Sequence, residues 1–193
     1  GSGLLHYGQD AGLGDPVVLC LGEDASGYLL VGTAARGLFR FDGSRFAPVD
    51  AGMPARTVQS IHLDAESRCW IGTSEGLWVD PGDGRYLRVD GCDAPISRTA
   101  CNGDTLWAAT SNGLFVLPTR VLPWRLRPVR TLPAVAMSAV VRDGAGNLWI
   151  GTEAHGVYRL NGQRRDSLRA ANGLASDAVE QLLLDAVQNL WVG

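Results

Sequence analysis

The chain has 193 residues, with 17 Lys and Arg against 20 Asp and Glu and a hydrophobic fraction of 46%. That fraction and the small net charge of −3 exclude a disordered chain, which would be poor in apolar residues and highly charged. No cluster of Lys and Arg offers a footprint for a phosphate backbone, so we expect no nucleic acid partner, and no apolar stretch reaches the roughly 20 residues that cross a bilayer.

A repeated phrase organises the chain. It occurs at residues 18–33, 58–73, 137–152 and 179–193, and with one residue fewer at 96–110. A period of about 40 residues with several short strands per unit is typical of β-propeller blades. The aromatic position of the phrase falls, in chain order, at Leu30, Trp70, Trp107, Trp149 and Trp191.

Each repeat predicts four antiparallel strands. In the second copy the apolar run at 58–63 ends at Asp64 and another run follows at 69–72, which predicts a hairpin. A Thr, polar residues and a Gly then precede an alternating third strand, and Asp-Gly or Asn-Gly turns precede a fourth. Gly27, Gly146 or Asn147 is expected to take the left-handed conformation that closes the first turn.

We therefore predict an all-β fold of β-propeller blades with four antiparallel strands each, about four and a half blades from a larger ring. The segment 175–187 also fits a capped helix, but the strand register of the other repeats favours a strand there. The predicted boundaries are an outer strand of a preceding blade with its link at 1–16, blade 1 at 17–57, blade 2 at 58–95, blade 3 at 96–135, blade 4 at 136–177 and the first two strands of blade 5 at 178–193.

The phrase V-x-x-I-x-x-D-x-x-G-N-L-W-I-G-T-x-x-G-L, clearest at 137–157 and 58–77, resembles the two-component regulator propeller repeat. The resemblance covers essentially the whole chain. Blade 3 departs from it with Asn102 for the Asp and Ala109 for the Gly, and blade 1 with Leu30 for the Trp. The resemblance implies a periplasmic or extracytoplasmic sensor region of a bacterial hybrid histidine kinase or membrane diguanylate cyclase, whereas composition and spacing alone indicate a propeller-like array.

The repeated acidic and aromatic residues are expected to be structural. A catalytic or metal-binding carboxylate would not recur at the same turn of every blade, whereas one that bonds the N–H groups of a turn would. An aromatic residue between apolar neighbours supplies buried area between blades, and no basic groove accompanies it as a stacking platform would require. The residues concerned are Asp24, Asp64, Asp143 and Asp185, and Trp70, Trp107, Trp149 and Trp191.

No metal or cofactor is expected. His6, His62 and His155 occupy different registers, and neither a Cys-x-x-Cys nor a His-x-x-x-His pair is present. Cys20 and Cys69 are expected to be small buried apolar residues. Cys92 and Cys101 lie across a link from each other, so the sequence leaves open whether they form a disulfide in an oxidising compartment.

Variable residues are expected where the links between blades and the loops between second and third strands open on one face. The charge of these link and loop residues changes from blade to blade while the repeated phrase stays constant. Such a combination is typical of a binding face on a constant framework. The links contribute Asp15, Arg56, Arg98, Ser176 and Asp177. The predicted ligand-binding residues are Arg36, Glu75, Arg98, Asn112, Glu153 and His155.

The resemblance favours a non-catalytic segment that senses a small molecule, glycan or protein for a transmembrane signalling protein. Contact with the membrane would then come through segments outside this chain, and the parent protein is compatible with a homodimer. Two alternatives stay open: an enzyme on a propeller scaffold, such as a lyase or glycoside hydrolase, and a passive protein-interaction scaffold. Carboxylates converging at catalytic separation would favour the enzyme, and a flat apolar loop face would favour the scaffold.

Overall fold

The computed structural model describes residues 5–49, 52–53, 57–162 and 164–193, and its regular structure is almost entirely strand. It forms two compact units. Unit 1 extends to Ser74 and includes Trp78–Arg88, and unit 2 comprises Glu75–Leu77 and Val89–Gly193. Within the described ranges, no helix is both long enough and apolar enough to cross a bilayer. Arg56 and the residues before Leu5, on which parts of the sequence predictions fall, lie outside those ranges.

Unit 1 contains two sheets in which each strand pairs with the next along the chain. The sheet of blade 1 consists of β1 (Val18–Glu23), β2 (Leu29–Thr33), β3 (Leu38–Phe41) and β4 (Phe46–Pro48). The sheet of blade 2 consists of β5 (Val58–Leu63), β6 (Cys69–Thr73), β7 (Gly76–Asp80) and β8 (Leu87–Arg88), with the first two residues of β7 counted in unit 2. This order confirms the predicted four antiparallel strands per blade.

Unit 2 repeats the pattern twice and adds a pair of strands. Blade 3 has β9 (Ile96–Asn102), β10 (Thr105–Thr110), β11 (Gly113–Pro118) and β12 (Arg127–Pro128). Blade 4 has β13 (Met137–Arg142), β14 (Leu148–Thr152), β15 (Val157–Asn161) and β16 (Arg164–Leu168). The last sheet pairs β17 (Leu182–Leu184) with β18 (Leu190–Val192), so the segment 175–187 contains a strand, as its register predicted, and no α-helix.

Burial is concentrated on the second strand of each full blade. In β6 all five residues are buried, and in β2 and β14 four of the five are. In unit 1, Leu30 of β2 and Ile71 of β6 pack in one cluster with Val58 of β5. Apolar side chains on both faces of these central strands therefore supply the hydrophobic stabilisation of each unit.

The Gly of the repeated phrase allows the beginning of the following blade to approach closely. A Cβ at Gly151 would lie 2.8 Å from Cγ1 of Val179, closer than carbon atoms can pack. Blade 3 has Ala109 at this position, and the residue that corresponds to Val179 is there Met137, in the same buried cluster. An unbranched, flexible Met adapts to the additional methyl group, which accounts for the departure of blade 3 from the repeat.

The segment before β1 differs from its prediction. Residues 5–8, where the sequence places the outer strand of a preceding blade, form no strand, and a short 3-10 helix follows at Gln9–Ala11. Strand geometry requires hydrogen bonds from a neighbouring strand, and the described residues provide none beside this segment. Its Tyr7 ring instead packs edge-on against Phe41, with 4.8 Å between ring centroids.

Candidate functional site

The repeated Asp closes the turn between the first and second strands with one carboxylate oxygen. In blade 1, Oδ1 of Asp24 accepts hydrogen bonds from the backbone N–H groups of Ser26 at 2.8 Å and Tyr28 at 3.0 Å. The Oδ1 atoms of the equivalent residues accept the N–H four positions later, at 2.8–2.9 Å, in blades 2, 4 and 5. These residues are Asp64, Asp143 and Asp185.

The second oxygen of the same carboxylate holds the Trp of the phrase. The indole Nε1 donates to Oδ2 at 2.7 Å from Trp70 to Asp64 and at 2.8 Å from Trp149 to Asp143. In blade 5 the same bond joins Trp191 to Asp185 at 3.1 Å. Sequence reasoning treated these Asp and Trp residues as separate features. Their constant separation was the signal that they interact.

Hydrogen bonding lowers the pKa of the turn carboxylates of Asp64 and Asp185. Burial acts to raise the pKa of Asp64, but the hydrogen bonds from Trp70 and Arg68 outweigh it, and the pKa lies below its usual value. The pKa of Asp185 is lowered chiefly by the backbone N–H and the side chain of Asn189. These bonds occupy the oxygens that a metal or a general base would need, which fits a structural role.

In blade 1 the second oxygen of the turn carboxylate has a partner other than an indole. Its Trp position is Leu30, and Oδ2 of Asp24 instead forms an ion pair with Nε of Arg40 at 2.8 Å. Arg40 is the residue opposite Leu30 on β3, and its guanidinium lies 3.8 Å from the centroid of the Tyr28 ring. A cation from the third strand thus replaces the indole N–H of the second.

In blade 3, which lacks both the Asp and one residue of the turn, β9 and β10 are joined by a tight two-residue turn. Asn102 pairs directly with Thr105, so only Gly103 and Asp104 lie between the strands. A shorter turn has fewer N–H groups to satisfy, and this blade therefore does not need the carboxylate.

The left-handed position of the turn is the third residue after the Asp. Gly27 and Gly146 have φ of 79° and 89°, as predicted, whereas the alternative Asn147 does not have a positive φ. Blades 2 and 5 place Ser67 and Gln188 there, with φ of 61° and 68°. These two residues adopt a conformation that favours glycine, because the Asp holds the turn through the next residue.

The expectation of buried tryptophans is met unevenly. Trp70 is fully buried, and Trp107 and Trp149 are half-buried. Trp191 contradicts the expectation, since its exposed fraction is 61%. The reason is that β18 pairs only with β17 in a two-stranded sheet within the described residues, so the indole lacks the covering that full blades provide.

A Thr side chain bridges the loop between the second and third strands. In blade 4, Oγ1 of Thr152 donates to the carbonyl of Gly156 and accepts the N–H of His155, both at 2.8 Å. Blades 1 and 3 have the same bridge through Thr33 and Thr110, at 2.8–3.1 Å. The residue whose N–H binds this Thr oxygen immediately precedes the Gly. It is Arg36 in blade 1, Asn112 in blade 3 and His155 in blade 4.

Each loop is tied to the link that enters its own blade. The residue after the Thr donates its N–H to the carbonyl of the last link residue in all four full blades, at 3.0–3.3 Å. In blade 1 the link is fixed further by the buried Asp15, whose carboxylate accepts the N–H groups of Val17 at 3.0 Å and Ala35 at 2.6 Å. These bonds lower the pKa of Asp15. Link and loop therefore lie at the same end of each blade.

Four predicted binding residues share one structural position. Arg36, Glu75, Asn112 and His155 each directly precede the Gly at which the third strand begins or which comes just before it, and the first three are exposed while His155 is half-buried. Glu153 lies in the same loop as His155 and is exposed.

Arg98 is not in the link where it was predicted. It lies inside β9, half-buried and opposite Ala109, because this strand already begins at the buried Ile96.

No disulfide joins Cys92 to Cys101. Burial raises the pKa of the Cys69 thiol to about 12, so it is not a nucleophile at neutral pH. In the part of the chain that the structure describes, no group of three or more His, Cys, Asp or Glu side chains could hold a metal ion.

Sequence reasoning missed a cavity of about 730 Å³ in unit 1. Its walls include the polar side chains of His6, Asp10, Ser44 and Arg45. The segment that forms one wall was predicted as a strand, and its irregular path could not be read from the repeat.

Comparison with known proteins gives one family match. The family model described as the two-component regulator propeller matches residues 131–154. No match was found among curated proteins.

Solved structures share the fold. The extracellular domain of the candidate hybrid two-component system BT3049 from B. thetaiotaomicron superposes with a TM-score of 0.83 at 18% identity, over 94% of this chain and 26% of that one. The extracellular domain of the candidate one-component system BT4673 from the same organism gives 0.77 at 23% identity, over the same shares. Virginiamycin B lyase from Staphylococcus aureus gives 0.69 at 15% identity, over 91% of this chain and 62% of the lyase.

At these identities the superpositions establish the fold alone. The chain spans about a quarter of the length of the two extracellular domains. Together with the match at residues 131–154, the observed blades confirm the resemblance stated from the sequence: the chain carries the two-component regulator propeller repeat in a β-propeller fold.

Proposed function

We propose that this chain is a non-catalytic, ligand-sensing or partner-sensing propeller segment of a bacterial transmembrane signalling protein, on the extracytoplasmic side of the membrane. The observation that carries the proposal is the shared position of Arg36, Glu75, Asn112 and His155. A cation, an anion, an amide and an imidazole occupy one structural position in successive blades. The backbone of their loops is held by the bond from loop to link in all four blades and by the Thr bridge in blades 1, 3 and 4.

A fixed backbone with variable side chains is what selective recognition requires. The Thr bridge and the bond between link and loop order these residues before any ligand arrives, so binding would not have to order the loop. The mixture of charged and neutral hydrogen-bonding groups suits a polar ligand such as a glycan or a small metabolite, or a polar protein surface.

The location and the signalling role rest on the comparisons. The matched family is described as a two-component regulator propeller, and the two B. thetaiotaomicron structures are extracellular domains of candidate one-component and hybrid two-component systems. We expect a membrane segment and an output domain, a kinase or a cyclase, in the same polypeptide as this chain. A full-length gene without both would contradict this part of the proposal.

The binding role is tested by thermal shift of the protein against a panel of extracellular glycans and metabolites. A compound that stabilises unit 1 should lose its effect on Arg36→Ala, and one that stabilises unit 2 should lose its effect on Asn112→Ala. Either compound should keep its effect on Arg85→Ala and Asn102→Ala, which remove exposed side chains of the same types at the other end of blades 2 and 3. Turnover of a compound would contradict the non-catalytic role, and stabilisation by a protein partner alone would favour a passive scaffold.

A further inference from the structure

The outer part of blade 3 carries a large excess of positive charge. Residues 105–142 contain five arginines and no Asp or Glu, whereas the remaining 12 arginines of the chain stand against 20 acidic residues. Four of the five lie between β11 and β13, at Arg120, Arg125, Arg127 and Arg130. They are not consecutive in the sequence, and the course of this segment along the edge of the sheet gathers them in unit 2.

The outermost strand of blade 3 exposes its arginines on one side. Leu126 is buried, while Arg125 and Arg127 on either side of it are exposed, which is the alternation expected of an extended segment with one covered face. Arg127 belongs to β12, the last strand of the sheet. Within the described residues, Arg125, Arg127 and Arg130 form no ion pair, so their charges are available to a partner.

The outermost strand of blade 4 adds cations beside this segment. Nη1 of Arg165, in β16, donates to the backbone carbonyl of Thr131 at 3.1 Å, so its guanidinium lies next to the backbone that follows Arg130. Arg164 and Arg165 are both exposed. Arg164 is paired loosely with Asp166, at 3.6 Å, whereas Arg165 has no acidic partner in the part of the chain that the structure describes.

Little negative charge opposes these arginines. Asp104 forms an ion pair with Arg120, and Asp166 is shared between arginines of blade 4. The backbone of Asp90 bridges to that of Arg125, but no ion pair joins the two side chains. The edge formed by the outer strands of blades 3 and 4 is therefore positively charged.

An apolar tip projects from the same segment. Val121 and Leu122 have exposed fractions of 60% and 70%. The turn that carries them is closed by Trp124, whose Nε1 donates to the carbonyl of Thr119 at 2.8 Å, and Thr119 itself is buried. Two large apolar side chains are thus held in solvent by an ordered turn.

The combination of cations and an apolar tip favours an anionic bilayer over other anionic partners. Arginines near a bilayer are attracted to its anionic headgroups, and apolar side chains insert at the boundary between headgroups and acyl chains. A nucleic acid or an acidic glycan would engage the arginines but would gain nothing from the exposed Val121 and Leu122.

We propose that the segment 120–130 docks unit 2 on a bilayer that contains anionic phospholipids, with Arg125, Arg127 and Arg130 toward the phosphate groups and Val121 and Leu122 inserted among the headgroups. The turn is already ordered, so docking does not have to order it. The proposal rests on the proposed function only for the presence of a bilayer beside this chain, and it does not involve the Thr-bridged loops.

The probe is a sedimentation assay of the intact protein with vesicles of phosphatidylcholine, alone or mixed equally with phosphatidylglycerol. We expect binding to the mixed vesicles at low ionic strength, little binding to phosphatidylcholine alone, and release as salt is added. No binding to the mixed vesicles, or equal binding to both kinds, would overturn the proposal. Either result would leave the thermal-shift test with glycans and metabolites unaffected, so the two proposals fail separately.

Charge variants locate the surface. The double variant of Arg127→Gln and Arg130→Gln should weaken binding to the mixed vesicles roughly 25-fold, about fivefold per arginine. The matched control combines Arg45→Gln with Arg85→Gln, which removes two exposed arginines from unit 1 and should change binding little. Equal losses in the two double variants would mean that only net charge matters and would overturn the proposal.

The apolar tip distinguishes a bilayer from a soluble polyanion. Leu122→Ser should weaken binding to the mixed vesicles about tenfold and leave retention on heparin unchanged, since heparin offers anionic groups alone. Leu183→Ser, at an exposed position of β17 in the same unit, is the control. Tighter binding to heparin than to the mixed vesicles, or vesicle binding unchanged by Leu122→Ser, would assign the segment to a polyanion and overturn the proposal.

Discussion

Nε1 of Trp70 lies 2.7 Å from Oδ2 of Asp64, and both side chains are removed from solvent, with exposed fractions of 0% and 7%. Three blades repeat this hydrogen bond, but only here is it fully buried. A buried bond to a charged acceptor contributes more than an exposed one, because water cannot replace the lost donor. Blade 2 should therefore depend on this pair more than blade 5 does.

Trp70→Phe keeps an aromatic ring but removes the N–H. We expect the free energy of unfolding in urea to fall by about 2 kcal/mol or more, since a buried charged acceptor loses a partner and the smaller ring leaves a void. The matched control is Trp191→Phe, which removes the same bond at an exposed site and should cost less than about 0.5 kcal/mol. Equal losses in the two variants would contradict the importance of burial.

Low pH should reduce the stability of blade 2, because it protonates the carboxylate of Asp64. Its pKa is lower in the folded chain than in the unfolded chain, so its contribution to stability is complete above the unfolded value of about 3.9. The contribution is lost as the pH falls through the folded value.

We expect the stability difference between the wild type and Asp64→Asn, measured by urea unfolding, to be largest near neutral pH and to shrink below about pH 4. The exposed Asp90→Asn serves as the reference for nonspecific charge effects. A difference that stays constant down to about pH 2 would show that the carboxylate contributes through shape alone.

The turn of blade 2 contains a residue in an unfavourable conformation. Ser67 has φ of 61°, where a side chain costs about 1 kcal/mol and glycine does not. Ser67→Gly should therefore raise the melting temperature slightly, after subtraction of the greater entropy of glycine in the unfolded chain.

The reverse exchange in blade 1, Gly27→Ser, should lower the melting temperature. A Cβ at Gly27 would have open space around it, so only the backbone conformation is tested there. We expect the two exchanges to shift the melting temperature in opposite directions. A loss of stability in Ser67→Gly would contradict backbone strain at Ser67.

Gly151 should tolerate no methyl group as long as Val179 is opposite. Gly151→Ala is expected to cost about 1–3 kcal/mol, because the new Cβ would lie 2.8 Å from Cγ1 of Val179. In the double variant with Val179→Ala the loss should be smaller than the sum of the single losses, since the clash is gone. A double-mutant cycle by urea unfolding measures this coupling, and simple additivity would contradict the close approach.

The Thr bridge should govern the order of the loop it closes. Thr152→Val removes the oxygen that accepts the N–H of His155, so this amide should exchange with solvent faster, by roughly tenfold. Thr131→Val, at an exposed position outside the strands, is the control. Unchanged exchange at His155 would show that the bridge does not hold the loop.

Local chemistry that repeats was predictable from the sequence. The strands, the Asp-closed turn and the glycines at 27 and 146 follow from residues close together in the chain, and the same pattern recurs in several copies of the repeat. Periodicity also identified β17 correctly where helical capping competed with it, because register in five repeats outweighs a single cap.

Structural features that depend on strand register or on the neighbouring strands could not be predicted. The partner of Asp24 is Arg40, sixteen positions later, and only the pairing of Leu30 with Arg40 brings the cation to the carboxylate. The exposure of Trp191 likewise depends on how many strands flank it, which its own repeat does not encode. Arg98 was assigned to a link because the exact start of a strand is poorly marked by composition.

The ion pair of Asp24 with Arg40 makes the turn carboxylate of blade 1 independent of an indole. Blade 4 has both an Arg and a Trp at the paired positions, Arg159 opposite Trp149, and its arginine is neutralised by Asp166. The position opposite the Trp on the third strand therefore decides whether a blade can keep its Asp without a Trp: a cation there supplies the partner that the indole N–H supplies elsewhere.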